Sequence, residues 1–421
     1  MVPANGAHIE SVKLQRITTN YPGYLRQFYQ TNAELVSQPY AVQHAALMRE
    51  AHGWADFWSK ALGKLGYECD EVVSNAEPLQ KAWALEHGLS YNEEGWLFEI
   101  TAGQVKAFKP DVLFVNDYVT YPPDYIRRLR AECSSIRLVL GWCGAPYTDA
   151  SVFAAYDVVL SSVPELVKSF LAQGHRCEHV NHAFDPRVLQ RIKQDEPNVD
   201  FGFIGTIAKK NKFHNSREIL LLELLRRAPF KIWVDSHSPS WQERSNVLIR
   251  QWAFDVVQMA NRAGVSATTL KAIPIAGKVR NWKARPALSP KLDARIVAVA
   301  QPPLFGLDMF QQLQRTRVSL NTHIDISVSH ASNMRLYEAT GVGSCLLTDW
   351  KSNLGELFED GVEVVSYKSA DECIEKVDYL LANEDARRAI ATAGQRRTLR
   401  DHSFDNRAVQ LDQIIQTALS Q

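Results

Sequence analysis

The sequence predicts an α/β protein made of two doubly wound parallel-sheet domains that face each other across a cleft. Three observations carry this. Between residues 12 and 172, short apolar runs alternate with helical segments, as in a parallel sheet joined by crossover helices. The same alternation restarts at Phe201 after a polar, proline-containing stretch. The chain has 421 residues, enough for two or three cores of ordinary size.

In chain order, Val12 to Thr18 reads as the first strand, followed by the aromatic loop Tyr21-Pro22-Gly23-Tyr24 and a long helical region from about Asn32 to Leu65. Tyr67 to Ser74 reads as a strand and Phe98 to Phe108 as a helix. Lys109 to Asp117 is a strand running into a polar tip. Tyr125 to Cys133 is a helix, and Ile136 to Leu140 is a strand opening into Gly141-Trp142-Cys143. Asp157 to Ser161 and Pro164 to Ala172 complete this half. His179 to Asp200 reads as a linker. Phe201 to Thr206 is then a strand ending at a glycine turn, followed by a basic loop, a helix from Ser216 to Arg227 and a strand from Phe230 to Val234. Residues 236–300 break the alternation. Trp241 to Ala263 reads as one long helix and Lys271 to Pro290 as basic and proline-containing, so this segment is expected to be a helical insertion. Leu307 to Gln314 is a helix, Val318 to Asn321 a strand, Leu354 to Phe358 and Ala370 to Leu381 helices, and Val362 to Tyr367 the last strand. Arg407 to Leu419 is an amphipathic helix. The expected division is residues 1–190 for the first domain and 191–400 for the second, with residues 401–421 a helix packing back toward the first.

The most informative unit is Ser332 to Asp349. Ser332 or Asn333 is placed to cap a short helix, Gly341 and Gly343 to stop it, and Ser344 to Thr348 to form a buried central strand. Glu338 lies inside this packed unit. A helix N-terminus facing a cleft favours an anion, and a carboxylate one turn further in can hold ribose hydroxyls. Read alone, the unit is an ordinary helix–turn–strand and Glu338 a solvated helix residue; the rest of the chain favours a sugar-nucleotide pocket.

Composition narrows the classes. Lys+Arg and Asp+Glu both number 47, so no global field draws the protein to nucleic acid or acidic membranes. Six scattered cysteines lack metal-ligand spacing and read as reduced thiols of a cytoplasmic protein. No signal peptide and no apolar stretch near the ~20 residues of a membrane span is visible, with peripheral membrane association left open.

Several polar groups are candidates for chemistry. Gly205-Thr206 at a strand end, with Lys209, Lys210, Lys212, His214 and Arg217 close behind, suits a diphosphate, although a solvated basic loop is the commoner fate of such a run. The P-loop pattern and Gly-x-Gly-x-x-Gly are both absent, which removes support for nicotinamide cofactors. His323 follows a strand end and His330 precedes Glu338 by eight residues. In the first domain, the strand tips carry Asn116, Asp117, Trp142 and Asp149, with His182 in the linker. Asp117, a carboxylate at a strand end, is the candidate general base, though loop carboxylates often serve as turn formers. Asp117, His182 and His330 are the three groups expected near the chemistry. No Asp-x-Asp, zinc-ligand cluster or Gly-x-Ser-x-Gly occurs, so no metal site is expected.

As an ordered set, several motifs resemble one family: Phe203-Ile204-Gly205-Thr206, then His214 and Arg217, Pro303-Leu304-Phe305-Gly306-Leu307-Asp308-Met309, Leu320-Asn321-Thr322-His323, and Asn333-Met334-Arg335-Leu336-Tyr337-Glu338-Ala339-Thr340-Gly341-Val342-Gly343. The set continues through Leu347-Thr348-Asp349, Leu357-Phe358, Glu363-Val364-Val365 and Ala391 to Gln395. Over roughly residues 201–411, the chain resembles the CgeB-like (spore maturation protein-like) glycosyltransferases of the GT-B group, which have two Rossmann-like domains. The first half resembles them in architecture and in Lys109-Pro110-Asp111.

The resemblance implies metal-independent, retaining transfer of a sugar from a nucleotide-diphosphate donor to an acceptor hydroxyl, in glycan or glycoconjugate synthesis. The donor would sit on the second domain and no other cofactor is implied. Glu338 would hold the ribose, and His330 stands where the wider group often has a second glutamate facing the sugar. Lys209, Lys210 or Arg217 would meet the diphosphate. Phe305 and Gly306 would lie beside the base. His323, Ser332, Asn333 and Arg335 complete the expected donor site. The acceptor is a glycan, glycolipid, protein or small molecule, and nucleic acid is not expected. Two other readings stay open: a nucleotide-sugar epimerase on the same double fold, and a non-catalytic nucleotide-sugar-binding partner.

Overall fold

A computed structural model describes residues 11–147, 149–208, 214–235, 241–263, 285–286 and 291–421. The chain forms two six-stranded parallel sheets flanked by helices. The first contains β1 (Lys13–Thr18), β2 (Glu68–Val73), β3 (Val112–Val115), β4 (Leu138–Trp142), β5 (Val158–Ser161) and β6 (Cys177–His179), in the order β2-β1-β3-β4-β5-β6. The second contains β7 (Val199–Ile204), β8 (Lys231–Trp233), β9 (Ala300–Gln301), β10 (Thr316–Asn321), β11 (Cys345–Asp349) and β12 (Val365–Tyr367), in the order β12-β11-β10-β7-β8-β9. The central strands are short and apolar because helices cover both faces: every residue of β3, β4 and β5 is buried.

In each sheet the chain winds outward in one direction, returns to the middle and winds out in the other. The direction reverses between β1 and β3 in the first sheet and between β7 and β10 in the second. Crevices beyond the carboxyl ends of strands at such reversals are where open α/β sheets hold ligands.

The expected helix from Asn32 to Leu65 is broken. A 3-10 turn at Ala33–Ser37 precedes helices Tyr40–Arg49 and Phe57–Gly63. Between the helices, Ala51, Gly53 and Ala55 all take positive φ (54°, 62° and 39°). Right-handed helix cannot pass through such backbone, and the resulting loop brings His52 and Trp54 to the cleft. Helices Glu77–Glu86 and Glu384–Asp401 escaped the sequence reading. The latter has a weak apolar face, with Arg387, Gly394 and Thr398 as its buried residues. In the insertion the long helix is present as Trp241–Arg262. Most of the basic stretch from Lys271 to Pro290 lies outside the described residues.

The chain crosses between domains twice, side by side. Phe184 N–H donates to His402 O at 2.9 Å, and Phe404 N–H donates to Phe184 O at 3.1 Å. Beyond this crossing, a capping box at Ser403 and Asn406 starts the helix Phe404–Leu419. That helix lies on the first domain. Tyr67 Oη donates to Asp412 at 2.6 Å, Gln410 donates to His179 O at 2.8 Å, and Phe404 packs on Phe57 and Trp58. One hydrophobic cluster therefore runs through both domains. No helix among the described residues is long and apolar enough to cross a membrane.

Candidate active site

The second-domain side of the cleft is built at the β7/β10 reversal. Arg217, on the helix Asn215–Leu225, donates from Nη1 to Thr206 O at 2.6 Å and from Nη2 to Thr322 O at 2.5 Å. It thereby ties together the segments leaving β7 and β10. The guanidinium also lies over the Phe203 ring at 5.6 Å. Arg217 is 6% exposed, its buried Nε has no partner, and no carboxylate lies within ion-pair distance among the described residues. Burial lowers its pKa to about 10, opposed by Asp349 and Tyr367, so it remains charged near neutral pH. A buried cation without a counter-ion is costly and places positive potential at this crevice. Next to it, His214 accepts from Ala208 N–H through Nδ1 at 2.8 Å, and burial pushes its pKa down to about 3. It is a neutral group that fixes the loop.

Gly205 is required sterically: a Cβ there would come within 2.7 Å of the Phe203 ring. Asn333 donates to Asn321 Oδ1 at 3.0 Å and to Thr322 O at 2.9 Å. His323 engages Asp349 at 2.6 Å through Nδ1, and its own N–H donates to the same carboxylate at 3.0 Å. Burial works against the charge of Asp349, but His323 and Lys351 hold its pKa below the usual value. Sequence reasoning did not select Asp349. Its signal was a polar residue at the end of an apolar strand, the same signal that selected Asp117.

The helix Arg335–Gly341 carries Glu338, which is 7% exposed and pairs through Oε2 with Arg335 Nη1 at 2.8 Å. Its Oε1 accepts no hydrogen bond among the described residues. Burial raises the Glu338 pKa and Arg335 opposes this. One local expectation is corrected. Neither Ser332 nor Asn333 caps this helix; the N-cap is Met334, without a side-chain cap. Ser332 Oγ is instead 2.6 Å from Ser327 Oγ, and the Asn333 amide is drawn to Asn321 and Thr322. Gly341 ends the helix as expected and is also a packing residue, because a Cβ would meet the Phe184 ring at 2.4 Å. Gly343, at φ +83°, makes the turn.

Phe305 and Gly306 lie at the domain seam. The Phe305 ring is 5.7 Å from Tyr24 and 5.5 Å from His52. Gly306 has φ +52°, and a Cβ there would stand 2.1 Å from Glu50 O, which also accepts from Leu307 N–H at 2.8 Å. The helix begun by Gly306 brings the Met309 sulfur to 3.1 Å from Arg335 Nη1. Lys209, Lys210 and Lys212 lie outside the described residues.

The first-domain side is a cavity of about 790 Å³ at the β1/β3 reversal. It is lined by the strand-tip residues Asn116 and Asp117, by Trp54, Trp142 and His182, and from the second domain by Met334. The structure thus brings Asp117 and His182 together. The Asp117 carboxylate accepts from Thr19 Oγ1 (2.7 Å), Thr120 Oγ1 (2.6 Å) and the N–H groups of Val119 and Thr120 (both 3.0 Å). Four donors on one carboxylate describe a turn former. His182 is 3.2 Å from Ser162 Oγ through Nε2 and packs against Trp54 and Trp142. Burial and Arg407 push its pKa down to about 3, so it is neutral. His330 is elsewhere: its Nδ1 is 3.0 Å from Glu165 Oε1, a contact between the domains. Arg16 and His52, which sequence reasoning missed, also line the cavity. Their signal is hidden, Arg16 in an otherwise apolar strand and His52 in a region read as helix. Among the described residues, no three His, Cys, Asp or Glu side chains are grouped to hold a metal ion.

Residues 250–413 match the glycosyl transferase-like family. The fold is similar to that of a sucrose-phosphate synthase from Thermosynechococcus elongatus, with TM-score 0.52 and 9% identity over 97% of this chain and 99% of that one. It is also similar to AviGT4, a glycosyltransferase involved in avilamycin A biosynthesis, with TM-score 0.50 and 12% identity over 97% and 98% of the two chains. No curated protein matches the sequence. The two-sheet architecture is that of the GT-B glycosyltransferases. With the matched segment, it makes the chain similar to glycosyltransferases in fold and in sequence pattern.

Proposed function

We propose that the protein transfers a sugar from a nucleotide-diphosphate donor, held on the second domain, to a hydroxyl of an acceptor seated in the first-domain cavity. On this reading the reaction is metal-independent and retaining and belongs to glycan or glycoconjugate synthesis, in a CgeB-like branch. The observation that carries it is the buried, unpaired guanidinium of Arg217 at the β7/β10 reversal. Breaking the bond between the sugar anomeric carbon and the diphosphate leaves negative charge on the leaving oxygen. A fixed cation in a dry crevice stabilises that charge without reorganising. Lys209 and Lys210 follow Gly205-Thr206 closely in the sequence and are assigned to the diphosphate. Arg335 and the free oxygen of Glu338 take the ribose side, the carboxylate accepting from the hydroxyls. Phe305 and Gly306 are assigned to the base, and His323, Ser332 and Asn333 shape the crevice through Asp349, Ser327 and Thr322.

In the step itself, the acceptor oxygen bonds to the anomeric carbon on the face the diphosphate leaves. The acceptor proton passes to the departing phosphate oxygen. Asp117, saturated by four donors, holds the loop that positions the acceptor, and His182 offers Nδ1 to an acceptor hydroxyl. His330 acts on closure through Glu165, which brings the two sides together and excludes water.

The test is calorimetric titration with a panel of nucleoside diphosphates and nucleotide sugars, beside Glu338→Ala, followed by product analysis. Binding of one nucleotide that weakens in the variant, together with an acceptor-dependent glycoside, is the expected result. Interconversion of the sugar nucleotide without an acceptor would establish the epimerase reading instead.

A further inference from the structure

We infer that the first-domain cavity selects an electrically neutral sugar as the acceptor, and excludes phosphorylated, sulfated and carboxylated ones. This rests on the function proposed above and names the acceptor class for the same site. The argument begins with charge. Arg16 and Asp117 are the charged side chains that line the cavity among the described residues. Arg16 is paired: Nε donates to Glu71 at 2.6 Å and Nη2 to Ala55 O at 2.6 Å, with both side chains of the ion pair no more than 3% exposed. The Asp117 carboxylate is saturated by its four donors. The two histidines on the wall add no charge, since burial pushes His52 down to about 4 and, with Arg407, His182 down to about 3. Among the described residues of the wall, no cation is therefore left to meet an anionic acceptor, and an uncompensated charge in such a site is strongly disfavoured.

The remaining surface suits a sugar. Trp54 and Trp142 meet edge to face at 4.6 Å, with Tyr21 and Tyr118 also on the wall. Aromatic rings of this kind pack against the apolar C–H face of a pyranose. Among the described residues, two buried polar atoms on residues of the wall, Asn116 Oδ1 and His182 Nδ1, have no partner. Buried polar atoms are ordinarily paired, and a sugar hydroxyl, which both donates and accepts, satisfies an amide oxygen and either tautomer of an imidazole. The Asn75 amide, by contrast, is spent on the Asn20 backbone, accepting from its N–H at 2.9 Å and donating to its O at 2.7 Å. A purely apolar acceptor would leave the two orphan atoms unpaired.

The experiment is a titration followed by intrinsic tryptophan fluorescence, with Trp54 and Trp142 as reporters. The probes are neutral glucose-, galactose- and N-acetylglucosamine-containing disaccharides, the matching sugar 6-phosphates and uronic acids, and an uncharged phenol. No donor is present. At least one neutral disaccharide is expected to give a saturable change, with its charged counterpart at least about tenfold weaker. Asn116→Ala should weaken the neutral sugar about fivefold. Glu71→Gln keeps the hydrogen bonds to Arg16 but removes the counter-charge, so it should narrow the gap between phosphorylated and neutral sugars. Equal or tighter binding of the charged sugars overturns the inference, as does binding of the phenol alone. If no sugar binds while the nucleotide titration succeeds, the acceptor inference falls and the donor reading stands. If both fail, the proposed function falls as well.

Discussion

Replacing Glu338 separates a ribose-holding role from a structural one. Its Oε2 is 2.8 Å from Arg335 Nη1, while Oε1 accepts nothing among the described residues. The free oxygen is the one a ribose hydroxyl would use. A hydrogen bond to a charged group contributes about 1.5–3 kcal/mol, which corresponds to a dissociation constant raised about 10- to 150-fold when it is lost. Glu338→Ala also strips Arg335 of its ion pair. The Arg335 side chain is 14% exposed, so part of the effect will be lost stability, of order 1–3 kcal/mol. Glu338→Gln divides the two effects. It keeps the volume and one acceptor oxygen but exchanges a charged hydrogen bond for a neutral one, and should weaken nucleotide binding about fivefold while remaining closer to wild type in stability. The assay is isothermal titration with the nucleotide the parent protein binds, beside urea denaturation of each variant. Wild-type affinity in a folded Glu338→Ala protein would refute the ribose assignment and leave Glu338 as a helix residue that pairs with Arg335.

Three further outcomes are expected. Arg217→Lys keeps a charge but cannot span Thr206 O and Thr322 O together; kcat should fall roughly 10- to 100-fold, with a smaller change in acceptor KM, as steady-state kinetics would show. Gly306→Ala should destabilise the protein by about 1–3 kcal/mol in urea denaturation, because the residue has φ +52° and the new Cβ would collide with Glu50 O. Acidification should destabilise the fold. His182 is neutral when folded, with a pKa of about 3 against 6.5 unfolded. Its stabilising contribution is complete above pH 6.5, declines as pH falls below that value, and is gone once pH is below 3. The slope is up to about 1.4 kcal/mol per pH unit. His52, at about 4, and His214, at about 3, act in the same direction. A flat denaturation midpoint between pH 6.5 and 4.5 would contradict this.

What was legible in the sequence follows from the range of the interactions involved. Apolar runs such as Val112–Val115 announce parallel strands because both faces are covered, whatever their order in the sheet. The restart near Phe201 marks the second sheet for the same reason. The break at Ala51–Ala55 was not legible, because two alanines with positive φ are held there by tertiary contacts, including the bond from Arg16 to Ala55 O. Gly341 was legible as a helix stop, and the helix ends there; its second constraint, the Phe184 ring 157 residues earlier in the chain, was not legible. At the site, Glu338 and Arg217 were visible through their motif. The saturation of Asp117 was not, because Thr19 comes from the segment after β1 and only folding brings it to the tip of β3. His330 was selected by spacing from Glu338, whereas its partner Glu165 lies on the other domain.

On the function proposed above, the distribution of charge across the cleft makes the two halves of the reaction cooperate. Among the described residues, the second-domain crevice contains a buried cation with no carboxylate at ion-pair distance, Arg217, and the cation that lines the first-domain cavity, Arg16, is paired with Glu71. Met334 lines that cavity and is followed directly by Arg335, so the neutral and the positive regions adjoin at the start of one helix. A donor diphosphate is drawn to one side and finds no counter-charge on the other. As the glycosidic bond to the diphosphate breaks, negative charge grows toward Arg217 and positive character grows at the anomeric carbon. An acceptor cavity that carried its own cations would oppose that second development; a neutral, hydroxyl-matching cavity does not. On that reading, the lack of a spare cation on the described wall of the first-domain cavity is as much a part of the catalytic arrangement as the buried cation of the second domain.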